Sequence, residues 1–225
     1  MPRKPKRPTN VEVVMRKLSR AITGLELPAI EKISEAQQED PFQVLIATLL
    51  SARTQDATTL AASTRLFRVA PTPQAMVKLS VKQIERLIKP VSFFYTKAKH
   101  VKATCELLLD QFDGRVPGTM DELLLFPGVG RKTANVVLGN AYDTPGITVD
   151  THVGRLSRRL GWTKYTDPVK VEFALNKLIP PADWTIVSHR LIFHGRRVCF
   201  ARKPACSGCT LSKLCPKVGV VQTKD

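Results

Sequence analysis

The chain has 225 residues, of which 43% are hydrophobic and 24% are charged, a composition typical of a folded globular protein. Its 35 lysine and arginine residues outnumber the 19 aspartate and glutamate residues, which gives a formal net charge of +16. A large positive net charge favours a polyanionic partner, although charge alone does not distinguish DNA from RNA or from an anionic membrane. No stretch is long and apolar enough to cross a bilayer, and the basic residues 1–7 lack the apolar segment of a secretory signal, so we expect a cytoplasmic protein.

Helical start and stop signals recur along the whole chain. In chain order, one helix is predicted after Asp40–Pro41, a second between Ser80 and Pro90, and a third from about Thr96 to Phe112. A fourth is predicted after the capping threonine Thr119, and a fifth after Asp167–Pro168. Residues 147–149, Ile-Thr-Val, are the one β-like run, and they are too short to define a sheet. The sequence therefore predicts an all-α fold.

Residues 125–137, Leu-Phe-Pro-Gly-Val-Gly-Arg-Lys-Thr-Ala-Asn-Val-Val, predict two helices joined by a tight turn. One helix is expected to end at Leu125 and the next to begin near Arg131, with Gly128 and Gly130 allowing close approach of a ligand to the backbone. Unpaired amides at the start of the second helix lie at the positive end of its dipole and favour a phosphate oxygen. An ordinary helix–turn–helix connection is the alternative, but the full string resembles the helix–hairpin–helix motif, which binds DNA backbone without reading sequence.

Lys132 lies in the first turn of the helix that follows this hairpin. The helix dipole disfavours a positive side chain there, so the amine should lose its proton more easily than that of a free lysine, as a Schiff-base nucleophile requires. Taken alone, the residue is better interpreted as a phosphate-binding lysine. Asp150, in the string Val-Asp-Thr-His, fits the N-cap of a helix that begins at Thr151. A capping role fixes a carboxylate in place and is compatible with a chemical one.

Four cysteines near the C-terminus have the spacing C-x6-C-x2-C-x5-C: Cys199, Cys206, Cys209 and Cys215. In a reducing compartment they are better interpreted as metal ligands than as disulfides. Structural zinc and a [4Fe–4S] cluster both take four thiolates, and general chemistry does not choose between them. Cys105 lies inside a helix beside leucines and is expected to be a buried thiol.

The hairpin, Lys132 and the Val-Asp-Thr-His string together resemble the helix–hairpin–helix glycosylase superfamily over about residues 20–216. The cysteine spacing, preceded by His-Gly-Arg, is similar to the cluster loop of the endonuclease III family. The resemblance implies that the four cysteines hold a [4Fe–4S] cluster and that Lys132 attacks the sugar C1′ of a flipped nucleotide. It also implies that Asp150 assists deprotonation of the lysine and stabilises positive charge at the sugar. Because relatives that only cleave the glycosidic bond lack this lysine, we expect a bifunctional DNA glycosylase and abasic-site lyase that removes oxidised pyrimidines.

Two positions depart from the family pattern. Endonuclease III proteins commonly have glutamine where Arg53 stands, at the position that fills the gap left by the flipped base. The intercalating wedge, usually a leucine, falls at Phe93, with Phe94 as the nearby alternative, and core packing is the competing interpretation for both aromatics. The other expected DNA contacts are Gly128, Gly130 and Arg131 in the hairpin, and Arg196 and Arg197 beside the cysteines.

The resemblance also implies two helical lobes with a DNA cleft between them. Residues 31–144 are expected to form a six-helix barrel lobe with the hairpin, and residues 1–30 with 145–225 the lobe of the iron–sulfur cluster. We expect a monomer, associated with the nucleoid, whose partner is double-stranded DNA containing damaged bases or abasic sites. A mismatch- or uracil-directed glycosylase of the same fold and a non-catalytic DNA-binding protein remain as alternatives.

Overall fold

The computed structural model describes residues 10–22 and 40–220, so the basic arm at 1–7 and the expected boundary at residue 31 lie outside the described residues. The helices are, in chain order, α1 (Val11–Ile22), α2 (Pro41–Ser51), α3 (Asp56–Val69), α4 (Pro73–Met76), α5 (Val81–Ile88), α6 (Phe94–Gln111), α7 (Met120–Leu123), α8 (Arg131–Ala141), α9 (Thr151–Arg159), α10 (Pro168–Leu178) and α11 (Trp184–Arg197), the last preceded by a 3-10 turn at Pro181–Asp183. The prediction of an all-α fold is confirmed, since these ranges contain no strand. Within them, every helix falls short of the length and apolarity that a bilayer span requires.

Short polar side chains begin several of these helices, because they accept hydrogen bonds from amides that have no partner inside the helix. Asp40 accepts from the N–H of Phe42 at 2.9 Å at the start of α2. Thr119 and Asp167 cap α7 and α10 in the same way. Ser80 forms a reciprocal capping box with Gln83, the third residue of α5, a pairing that was not predicted from the sequence.

Two helix boundaries differ from the prediction. α7 ends at Leu123 rather than at Leu125, because the chain already turns towards the hairpin there and leaves Leu125 60% exposed. α6 begins at Phe94, two residues before the predicted Thr96, with Phe93 as its N-cap in a left-handed conformation. Turn geometry at both positions depends on packing beyond the local sequence.

The β-like run at residues 147–149 forms no strand and instead precedes α9 as an irregular segment. Ile147 and Val149 are buried in the core, and the N–H of Thr148 donates to Oγ of Ser188 at 2.9 Å. A side chain of α11 therefore satisfies an amide that a neighbouring strand would otherwise bind.

The described chain divides into two compact units, one formed by residues 40–144 and the other by α1 with residues 145–220. In the first unit, α2 is buried almost all round, as expected for a helix at the centre of a bundle. It packs against α3, α6 and α8. A single helix thus anchors both the helix after the hairpin and the helix after Phe93.

In the second unit, α11 packs against α1 and α9. Its core combines the apolar face of α1, including Val14 and Leu18, with residues of α9, α10 and α11. Asn10, just before α1, accepts from the indole N–H of Trp162 at 3.4 Å and donates to the carbonyl of Leu214 at 3.3 Å. The start of α1 is thereby attached to the segment that carries the last of the four cysteines.

Candidate functional site

The turn between α7 and α8 is the predicted hairpin, and its two glycines differ in environment. Gly128 has φ +80°, and a Cβ on it would lie 2.4 Å from Nδ1 of His100. Gly130 has φ −102°, and no described atom lies within 4 Å of the position that its Cβ would take. A glycine is therefore required at residue 128, because both the positive φ and the contact with His100 disfavour a Cβ there. Gly130 leaves open space beside the start of α8.

Lys132 stands at the N-terminal end of α8, with its side chain exposed. The first hydrogen bond of this helix joins the N–H of Ala134 to the carbonyl of Gly130 at 2.9 Å. The N–H groups of Lys132 and Thr133 precede it and, in the described part of the chain, make no hydrogen bond. The amine thus lies at a helix end whose free amides and dipole favour negative charge.

Asp150 caps α9 through a single carboxylate oxygen. Its Oδ1 accepts from the N–H groups of His152 and Val153, each at 2.8 Å. Among residues 10–22 and 40–220, no donor lies within hydrogen-bond distance of Oδ2. The cap therefore fixes the orientation of the half-buried carboxylate and leaves its second oxygen available to another group.

Arg155 attaches the start of α9 to the cysteine-bearing segment. Its Nη2 lies 2.8 Å from the carbonyl oxygen of Cys199, 3.1 Å from that of Gly195 and 3.0 Å from Nδ1 of His152. Because a guanidinium only donates, Nδ1 of His152 must accept, which places the ring proton on Nε2. Burial lowers the pKa of His152, the charge of Asp150 opposes this and that of Arg155 adds to it. His152 thus takes part in the contacts that hold the start of α9 against the cysteine-bearing segment.

The four cysteines of the predicted metal site line one cavity, together with Leu156, Leu160 and Leu211. None of these four cysteines, nor the buried Cys105, forms a disulfide. Two buried polar side chains reach the sulfurs of this site: Nη1 of Arg159 donates to Sγ of Cys199 at 3.1 Å, and Nε2 of His194 lies 3.3 Å from Sγ of Cys209. The cysteines therefore lie together in a partly apolar cavity.

The electrostatics of this cavity disfavour four bare thiolates. Burial raises the pKa of Cys209 and Cys215, and neighbouring cysteine sulfurs raise it further, while backbone N–H groups partly offset the effect. A cationic group that binds thiolates would remove this penalty. In the described ranges, no group of three or more His, Cys, Asp or Glu side chains is arranged to hold a single metal ion.

Phe93 and Phe94 have different environments. Phe93 is 61% exposed, whereas Phe94 packs partly against the core. Core packing therefore describes Phe94 and not Phe93. The exposed Arg53 contacts Phe93, with its guanidinium carbon 5.9 Å from the ring centroid, within the range of a cation–π interaction. The two positions that depart from the family pattern thus touch each other.

The comparisons with known proteins agree with one another. Residues 46–181 match the HhH-GPD superfamily of base excision DNA repair proteins. The chain is 49% identical to endonuclease III of Synechocystis sp. over 79% of its own length and 82% of that protein. It is 41% identical to endonuclease III of Escherichia coli (strain K12) over 81% of its length and 86% of that protein. The chain belongs to the endonuclease III family.

The fold of this endonuclease III family member is also that of a solved relative. That relative, described as a trapped endonuclease III–DNA covalent intermediate in an estranged-adenine complex, has a TM-score of 0.81 and 36% identity, over 92% of this chain and 95% of its own. The chain is therefore a base excision repair enzyme, a DNA glycosylase and abasic-site lyase.

In this endonuclease III family member, the predicted site residues lie in several separate places. The four cysteines lie together, as do Arg53 and Phe93. Lys132 belongs to the unit of residues 40–144 and Asp150 to the other unit. Arg196 and Arg197 are exposed in the last turn of α11, and the guanidinium carbon of Arg197 lies 5.4 Å from the ring centroid of Phe193.

Several residues that hold these groups in place were not predicted from the sequence. Lys97 is only 7% exposed, and its Nζ donates to the carbonyls of Leu50 and Ala52 at 2.7 and 2.6 Å. Its position on the apolar face of α6 was a detectable signal, because a lysine among core positions needs buried acceptors. Arg159 and His194 gave weaker signals, since only the fold brings them to the cysteine sulfurs.

Proposed function

We propose that this enzyme removes oxidised pyrimidines from double-stranded DNA, with Lys132 as a Schiff-base nucleophile. The observation that carries the proposal is the exposed amine of Lys132 in the first turn of α8, directly after the glycine hairpin. Amides and dipole at that helix end would bind a DNA phosphate and so place the amine beside the sugar of the next nucleotides. The formal charge of +16 supports a polyanionic partner, and the cytoplasm, where the nucleoid lies, is the compartment we propose for it.

The proposed reaction exchanges bonds at one sugar carbon. Nζ of Lys132 forms a bond to C1′ as the bond from C1′ to the base nitrogen breaks, and the base departs with that electron pair and takes up a proton. The sugar ring opens to leave a Schiff base on Lys132. Loss of a proton from C2′ then expels the 3′ phosphate oxygen from C3′, which breaks the strand. Water hydrolyses the Schiff base and regenerates the amine.

Asp150 is proposed to assist this reaction through Oδ2. Its Oδ1 is occupied by the two capping hydrogen bonds, so the carboxylate is held in one orientation. An oriented carboxylate can accept the proton that Lys132 must lose and stabilise positive charge that develops at the sugar. The base must be flipped out of the helix first, since C1′ is not reachable within the stack.

The four cysteines are proposed to hold a [4Fe–4S] cluster. They line one cavity, and four cysteine thiolates are the ligand set that such a cluster takes. Their spacing, C-x6-C-x2-C-x5-C, is similar to the cluster loop of the endonuclease III family, which favours the cluster over zinc. When bound, the cluster would serve as a structural staple, and the chemistry at the sugar needs no electron transfer. The exposed Arg196 and Arg197 beside it are proposed phosphate contacts.

Arg53 and Phe93 are proposed to act where the nucleotide leaves the helix. The exposed ring of Phe93 would wedge between bases, as apolar side chains do in kinked duplexes. The guanidinium of Arg53 would then fill the gap opposite the orphaned base. Gly128, Gly130 and Arg131 belong to the hairpin that is proposed to hold the backbone nearby.

Borohydride trapping tests the proposed nucleophile. Borohydride should reduce the Schiff base and leave a stable covalent complex between the enzyme and DNA containing an abasic site or thymine glycol. Lys132→Ala should abolish trapping and strand cleavage while DNA binding persists. Lys99→Ala, which removes another exposed lysine of the same unit, is the matched control and should trap normally. Undiminished trapping by Lys132→Ala would assign the nucleophile elsewhere, and no trapping by the natural protein would indicate a DNA-binding protein without this chemistry.

A further inference from the structure

Arg53 and Phe93 share an unusual backbone conformation. Their φ values are +54° and +57°, in the left-handed region that side chains other than glycine rarely adopt. Both side chains are exposed, so burial of the side chains does not hold the backbone in this conformation. Such a conformation persists where surrounding contacts fix it, and two of them in contact with each other indicate a shared support.

The ammonium group of Lys97 supplies that support on the Arg53 side. It donates to the carbonyls of Leu50 and Ala52 and, at 3.1 Å, to Oγ1 of Thr54. These acceptors surround the turn that follows α2, where helix carbonyls have lost their intrahelical partners. The turn that presents Arg53 is therefore folded around a buried ammonium group.

The same residue holds the Phe93 side through its backbone. The N–H of Lys97 donates to the carbonyl of Phe93 at 3.0 Å. Oγ1 of Thr54 accepts from the N–H of Ser92 at 3.2 Å as well as from Lys97. One lysine and one threonine hydroxyl thus join the two turns, which are about forty residues apart in the sequence.

We propose that Lys97 and Thr54 are positioning residues that couple Arg53 to Phe93, so that the two side chains enter DNA as one unit. This rests on the proposed roles of Arg53 and Phe93 at the flipped nucleotide. The guanidinium contacts the ring before DNA binds, so inserting one side chain carries the other with it. Removing either side chain should then lose most of the cleavage rate that the two contribute together, because the effects of residues that act as a unit are not additive.

The test compares two substrates. One is a duplex with a central abasic site, where wedge and gap filler are needed; the other is a single strand with the same abasic site, where they are not. The variants are Arg53→Ala, Phe93→Ala, the double variant, and Thr54→Val, which keeps the shape of the threonine and removes its hydroxyl. Thr54→Val leaves the bonds from Lys97 to Leu50 and Ala52 in place, so it should fold normally. Lys97→Met is the second variant, and it removes all three side-chain hydrogen bonds of Lys97.

If the two side chains act as one unit, the rate of duplex cleavage should fall in Arg53→Ala and in Phe93→Ala, with little further loss in the double variant. Thr54→Val should also slow duplex cleavage, by roughly fivefold, the size expected for a lost buried hydrogen bond. Single-strand cleavage should be unchanged in Thr54→Val.

Three results would overturn the proposal. Additive losses with normal activity of Thr54→Val would leave Arg53 and Phe93 as independent contacts and preserve the proposed function. Equal losses on both substrates in Thr54→Val would show a general structural role. No loss on the duplex in Arg53→Ala or Phe93→Ala would contradict their proposed roles themselves, and with them the coupling.

Discussion

His100 lies against Gly128 so closely that a methyl group added at residue 128 would lie 2.4 Å from Nδ1 of the histidine. His100, which lies on α6, thereby fixes the position of the hairpin. The φ of +80° at Gly128 gives the chain the sharp turn that leads into α8. The hairpin is therefore shaped by a contact inside its own unit as well as by its glycine content.

Gly128→Ala should destabilise the protein by roughly 2–4 kcal/mol, because the left-handed backbone and the contact with His100 both oppose a Cβ. Gly130→Ala is the matched control, since its φ is ordinary and its surroundings are open, and it should cost about 1 kcal/mol or less. Denaturant unfolding measures both values. Adding His100→Ala to Gly128→Ala should recover part of the loss, and equal costs for the two glycine variants would contradict this account.

Asp150→Asn should separate capping from chemistry. The amide oxygen can still accept the capping hydrogen bonds, so the free energy of unfolding should fall by about 1 kcal/mol or less. Base removal should slow strongly, because an amide neither accepts the proton of Lys132 nor stabilises positive charge as a carboxylate does. Asp167→Asn changes a cap of the same type on α10 and should leave base removal unchanged. Single-turnover release of thymine glycol measures the effect, and a normal rate in Asp150→Asn would refute the chemical role.

The purified protein should be yellow-brown and contain about four iron atoms per chain, without stoichiometric zinc. Cys209→Ser should lose iron and folded yield together, because one ligand of the staple is gone. Cys105→Ser, at a buried cysteine that does not line the cavity, should keep its iron. Metal analysis and the visible absorption spectrum provide the measurement. Zinc in place of iron would contradict the proposed cluster.

Lys97 should titrate well below an ordinary lysine, since burial lowers its pKa from 10.5 to about 8. The unfolded chain then binds more protons than the folded one between these two values, so stability rises with pH across that window, and this contribution is lost as pH falls through about 8. NMR of the lysine Cε groups, with Lys97→Met to assign the signal, measures the midpoint. The stability of the natural protein relative to Lys97→Met should increase from pH 8 to pH 10.5. A midpoint near 10.5 would show that the ammonium is not desolvated.

Arg53 should favour lesions opposite guanine over adenine. A guanidinium only donates hydrogen bonds. Both pairing edges carry donors beside their acceptor, and the expected preference rests on the carbonyl oxygen O6 of guanine being a better acceptor for a guanidinium than the ring nitrogen N1 of adenine. The preference should be about 1–3 kcal/mol if the contact is desolvated. Single-turnover cleavage of thymine glycol opposite each base, in the natural protein and in Arg53→Gln, measures it. The same guanine-to-adenine ratio in both proteins would show that Arg53 does not read the orphaned base, and an equal loss against both bases would mark a phosphate contact.

Local signals in the sequence predicted much of the fold. A proline after Asp40 and a capping residue at Asp167 mark helix starts because the interaction that defines each start spans only a few residues. The cap at Asp150 was readable for the same reason. The boundary at Leu125 was wrong because the end of α7 is set by how the hairpin packs against α6.

Long-range contacts were not readable in this way. Lys97 meets Ala52 across a separation of 45 residues, and Arg159 meets Cys199 across 40. The sequence near either residue does not indicate which group accepts its hydrogen bond. Patterns therefore indicated candidate site residues, whereas the groups that orient them became visible only in the packed structure.

The core shared by α1 and residues 145–220 also constrains how the protein is made. Leu18 and Val14 have no core to enter until α11 has left the ribosome, whereas residues 40–144 form a complete core earlier. At roughly 5–20 residues per second, α1 waits on the order of ten seconds or more for its partners. The unit that carries the four cysteines is thus assembled after the unit of residues 40–144, and whatever group they hold is installed only after Cys215 has been synthesised.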